Sequence, residues 1–125
     1  MAVAFDAVSS VADTDATNST TLSHTVGTGT DRILIVGIAA DNVISANRDV
    51  SSVTYAGTAL TKAVELDYGN NSEIWILVNP NTGTNDVVVT FAGTVSRAVG
   101  GAISLTGAAQ TGQPDATGSA SGTST

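Results

Sequence analysis

Cysteine is absent from this 125-residue chain, which excludes disulfides and thiolate metal sites and leaves the redox compartment open. Positive charge is nearly absent as well. Arg32, Arg48, Lys62 and Arg97 stand against 11 acidic residues, for a net charge of −7. Such a surface repels polyanions and offers no basic stripe to release counterions, so the expectation is no nucleic acid partner. No apolar run approaches the roughly 20 residues of a membrane helix, so no membrane span is expected. The opening "MAVAFDAVSS" lacks a basic region and a sustained apolar run, and does not read as a signal peptide. An acidic, lysine-poor surface fits a virion-surface or extracellular location. Charged residues make up 12%, about half the usual quarter.

Small polar residues fill that gap, with 13 Gly and many Thr, Ser and Asn. Thr and Val stand where helices would favour Glu, Lys and Leu, a composition of strands and turns. The length suits one domain with a real core. "AVAFDA" (2–7) predicts a first strand, and "STTLSHTV" (19–26) alternates with Leu22, His24 and Val26 on one face. "DRILIVGIAAD" (31–41) is apolar at seven of its eleven positions and reads as a central strand covered on both faces. Gly37 within it marks a bulge or a close backbone approach. "SSVTYAGTALTKAVEL" (51–66) predicts a hairpin turning at Ala56-Gly57, and "SEIWILV" (72–78) another core strand. "VVVTFAG" (87–93) and "RAVGGAISLTG" (97–107) complete the set. The expectation is an all-β, antiparallel, jelly-roll-like β-sandwich of about seven to nine short strands over residues 1–107. Residues 108–125 form a Gly/Ser/Thr-rich arm or linker. Strands 72–78 and 97–106 are the expected cover of 31–41. At about 2 kcal/mol per fully buried aliphatic, Ile33, Leu34, Ile35, Val36 and Ile38 carry much of the stability, and a polar residue at Ile35 is expected to unfold the domain.

The motifs "VSSVTYAGTALTKAVEL", "SEIWILVNPNTGTNDVVVTFAG" and "AVGGAISLTGAAQ" together resemble jelly-roll-like β-sandwich modules of bacterial secreted proteins and phage virion proteins. The start, "AFDA" and then "SHTVGTGTDRILIVGI", fits the usual opening of these modules. The resemblance covers nearly residues 2–113 and implies a fold, with no catalytic residues to carry across. Such modules generally run on for several strands after a connection like 110–125. The resemblance therefore implies either a fragment of the usual module or late strands supplied by a neighbour through strand addition.

Asp13, Asp15 and Asn18 offer hard oxygen ligands on a loop, the chemistry of a Ca²⁺ site. Three donors fall short of the roughly six to eight that Ca²⁺ takes, and a solvated turn explains the same residues. His24, the one histidine, faces the apolar side of its strand and suits a hydrogen-bonded core position better than catalysis. Glu65, Asp67 and Glu73 could be imagined as a glycosidase pair, but flank a turn where acids face water. Trp75 lies in the most apolar strand and is read as core. Lys62 alternates outward. Tyr68, beside Asn70 and Asn71 at a loop tip, is the one exposed aromatic suited to a ligand. Neither a nucleophile elbow nor a catalytic cluster is present in the sequence. The reading is a non-enzymatic structural subunit of a phage particle or extracellular assembly, partnered by copies of itself or other structural subunits, with strand or arm exchange. No cofactor beyond the Ca²⁺ candidate is expected. The alternative is a carbohydrate- or cell-surface-binding module, with glycans as partners.

Overall fold

The structure, a computed structural model, describes residues 2–41 and 48–122, excluding the side chains of residues 12–14 and 16. Seven strands follow one another: β1 (Ala4–Val26), β2 (Ile33–Asp41), β3 (Val50–Tyr55), β4 (Thr58–Ala59), β5 (Thr61–Tyr68), β6 (Asn70–Val78) and β7 (Gly83–Thr106). Every pairing is antiparallel, as the all-β reading requires. The order is β4-β3-β7-β2-β6-β5, with β1 paired to β7. The strand count matches expectation; the strand lengths do not. β1 and β7 run for 23 and 24 residues, because each pair of short strands expected at the two ends of the chain is one continuous strand.

The two long strands bend instead of breaking. β1 loses register with β7 between Val11 and Thr14 and again between Thr17 and Ser19. Unequal pairing of this kind bends a strand and sharpens its twist. The Asp- and Asn-containing segment 13–18 therefore lies within β1 at this corner, where the sequence had suggested a loop. Beyond the corner, Gly83–Phe91 of β7 pairs with β3 and with Ser19–Val26 of β1. Before it, Arg97–Thr106 pairs with β2 and with the first part of β1. One folded sheet thus supplies two layers, β4-β3-β7-β1 and β1-β7-β2-β6-β5.

Between the layers lies one core. Leu34, Val36, Ile38 and Ala40 of β2 meet Leu22, Val26, Val53, Tyr55, Val87 and Val89 from the opposite layer. Strand 72–78 and the 97–106 segment, expected to cover β2, are instead its hydrogen-bonded neighbours. The cover comes from β3, the second half of β1 and the first half of β7. Ile35 points away from the core and is only half-buried, so the expectation for a polar residue there passes to Val36, which is fully buried. Gly37 pairs regularly with Ile74 and Gly101, so it marks no bulge, and a Cβ there would meet nothing within 4 Å.

The β3–β4 hairpin turns at Ala56 and Gly57, both with positive φ (50° and 77°), as a two-residue turn matched to strand twist demands. The chain then crosses to the other layer as β5. The described strands enclose the core between them, with Leu34, Val36, Val53 and Val89 fully buried. What they leave open is a sheet edge and an outer face.

Candidate interaction surface

Strand alternation dictates what each layer shows to the outside. In the layer containing β5, the outward positions fall into register across all the strands. One row is Val8, Ile103, Ile35 and Ile76; the next is Ser10, Gly101, Gly37, Ile74 and Val64; a third begins Phe5, Leu105 and Ile33. Polar side chains are rare on this face. Val8 is 69% exposed, Phe5 64%, Val99 44% and Ile74 42%. This is why "ILIVGIA" is apolar on both sides of its strand: one side fills the core, the other forms this face.

The tail covers part of the face. Gln110 donates from Nε2 to the carbonyl of Arg32 at 3.1 Å, and Gly107 N to the carbonyl of Thr30 at 3.0 Å, which fixes where the tail leaves β7. Residues 113–118 then pass over Ile33, Ile35, Val64, Ile74 and Ile76, enclosing a groove of about 340 Å³. Gly118, Ser119 and Ala120 border a second groove of about 380 Å³ beside Val64, Leu66 and Ile74. A third, about 310 Å³, has no tail residue in its wall; Gly37 and Gly101 line it with Val8, Ile35, Ile74 and Ile103. Residues 123–125 of the expected arm lie outside the described residues.

Two buried polar networks brace the layers behind this face. In the first, Ser104 Oγ donates to Asp6 Oδ2 (2.6 Å) and therefore accepts from His24 Nε2 (3.0 Å), leaving Nδ1 to accept from Ser9 Oγ (2.7 Å). Asp6 Oδ2 also accepts the Gly27 amide at 2.9 Å. Ser, His and acid do meet, but the serine separates acid from imidazole, the reverse of a catalytic triad, and His24 is 1% exposed. The Ser104 and Gly27 hydrogen bonds hold the Asp6 carboxyl below its ordinary value. Burial pushes the His24 imidazole below its own, against the pull of Asp6.

The second network centres on Glu73, which is 2% exposed. Its carboxylate accepts from Val50 N (2.9 Å), Asn71 Nδ2 (2.6 Å) and Trp75 Nε1 (2.7 Å), with Lys62 Nζ at 3.4 Å. Lys62 does not simply point outward: it folds over the Trp75 ring at 5.6 Å and binds Glu65 at 3.0 Å. Partial burial works against its ammonium, but the hydrogen bonds and charges of Glu65 and Glu73 outweigh this and raise its pKa. Alternation puts Asn71, Glu73 and Trp75 on one inward face, a signal readable in "NSEIW"; the first network joins residues up to 98 positions apart and left none.

The remaining candidates fall as follows. Asp15 and Asn18 are exposed on β1, Asp15 lying 3.8 Å from Arg97, and the Asp13 side chain lies outside the described residues. Among the described residues no three His, Cys, Asp or Glu side chains converge on a metal position. Tyr68 and Asn70 are exposed at the β5–β6 turn, while Asn71 turns inward to Glu73 and to the carbonyl of Arg48. Asp67 binds Arg48. No helix among the described residues is long and apolar enough to cross a membrane. No family model matches the chain, and neither a curated protein nor a solved structure does.

Proposed function

We propose that the protein is a non-enzymatic structural subunit of an extracellular or phage-type assembly, built to contact its neighbours through the outer face of the β1-β7-β2-β6-β5 layer. The observation that carries this reading is the register of apolar positions across β7, β2 and β6, continuing to an exposed Val8 and Phe5 on β1. Contiguous apolar surface on a soluble domain marks an interaction site, and water exclusion there favours association. The tail supports the reading: its small, polar residues lie on the face without filling the grooves beneath it. A segment of this kind is displaced at low cost, or exchanged between copies.

The competing reading, a carbohydrate- or cell-surface-binding module, rests on Tyr68 and Asn70 at the β5–β6 turn. It has one exposed aromatic ring at that turn to stack a sugar and loses Asn71 to the core. Light scattering over a concentration series separates the two. A multimer that grows with concentration is expected. A monomer throughout, combined with glycan-array signals that vanish in Tyr68→Ala, would replace assembly by glycan binding.

A further inference from the structure

Three strands end the folded sheet, and they are protected unequally. β4 is two residues long. β5 carries Lys62, Glu65 and Asp67 and shifts register between Lys62 and Val64. Shortness, charge and bulges are the devices by which sheets blunt their edges. Among the described residues β1 pairs only with β7, and none of them pairs with its other side. From Ala7 to Val11 its register with β7 is uninterrupted, and the stretch contains neither a charge nor a proline. The adjacent Asp6 is turned inward, bound to Ser104 and Gly27.

We propose that this edge is a dimerisation site: the Ala7–Val11 stretch of β1 pairs antiparallel with β1 of a second copy about a two-fold axis through Val8, so that Val8 lies opposite Val8. Two layers then merge into one continuous sheet. The inference rests on the assembly reading and names its partner. A second copy fits for two reasons. Self-pairing sets Val8 against the same apolar strand with no like charges opposed, although the whole chain is strongly acidic. It also continues the row Val8, Ile103, Ile35 and Ile76 from one copy into the next. The corner after Val11 limits the contact, since a straight partner strand cannot follow β1 round it.

The chain has no cysteine, so single-cysteine variants report proximity cleanly. Val8→Cys and Ser10→Cys are oxidised in parallel with Thr21→Cys, on the second half of β1, and Ser52→Cys, on the other layer. The expected result is a covalent dimer at position 8, and none at position 10 or at either control, because a disulfide needs Cα atoms within about 7 Å. A multimer by light scattering without cross-linking at 8, or with equal yields at 10 or the controls, would overturn edge pairing and leave the assembly reading standing. A wild-type chain that stays monomeric would overturn both.

Discussion

The two outer faces of this sandwich share the strands β1 and β7 and could hardly differ more. On the β4-β3-β7-β1 layer the outward rows read Ser19, Thr90 and Ser52; then Thr21, Val88 and Thr54; then Ser23 and Asp86; then Thr25 and Thr84. One aliphatic, Val88, interrupts the hydroxyls, and Thr25 and Thr84 hydrogen-bond one another at 2.8 Å. On the other layer the corresponding rows are mostly Ile, Val, Leu, Phe and Gly, with Ser10 among them. Because β1 and β7 each pass through both layers, the change of character occurs within single strands: "STTLSHTV" is polar outward, while Val8 and Phe5 are not. A sheet needs one apolar side to fold and one polar side to stay apart from its copies. The first layer meets both demands; the second meets only the first, which is why we propose it as the surface for a partner.

The sharpest break of this comparison lies within β2. Val36→Asp places a charge in the core and is expected to cost at least about 4 kcal/mol, leaving no cooperative thermal transition. Ile35→Asp, one residue away on the outer face, should retain a native-like melt by circular dichroism. Equal unfolding of both would mean the outer face is core after all.

Glu73→Leu comes next. It strands the donors of Val50, Asn71 and Trp75, and urea titration should show a loss of about 3 kcal/mol. Acid gives a smaller effect. His24 has a lowered pKa in the fold, so its contribution is complete above its unfolded value near 6.5 and is lost as pH falls through the folded value. Asp6 behaves likewise below its unfolded value of 3.8. The melting temperature should therefore fall from pH 7 to pH 5, and His24→Gln should flatten that slope. A wild-type melting temperature that is flat across this range would contradict the His24 brace. Smallest in stability is Ile74→Lys on the exposed apolar face, expected to shift unfolding by under about 1 kcal/mol while lowering self-association.

How much of this the sequence disclosed depended on the range of the interactions. Strand positions, the Ala56-Gly57 turn, the central place of β2 and the burial of His24 and Trp75 all follow from local alternation and turn chemistry. The continuity of β1 and β7 did not, because Asp13, Asn18 and Gly93 are equally good turn and bulge residues, and only pairing with a partner strand decides between those uses. For the same reason the apolar run of β2 could be read as doubly covered, whereas half of it faces outward beneath the tail. Of the residues the sequence suggested for ligands, Tyr68 and Asn70 are exposed and Asn71 is not. A period-two reading of "NNSEIW" carries that split once Trp75 is placed inward.

The most direct test of the central claim, that the β5-containing layer is the contact surface and the hydroxyl-bearing layer is not, is sedimentation velocity over a concentration series for three chains. These are the wild type, Ile74→Lys and Thr21→Lys, each substituting an exposed outward residue. The account predicts a concentration-dependent multimer for the wild type and Thr21→Lys and a shift toward smaller species for Ile74→Lys alone. Identical behaviour of the two variants, or dissociation by Thr21→Lys, would contradict it.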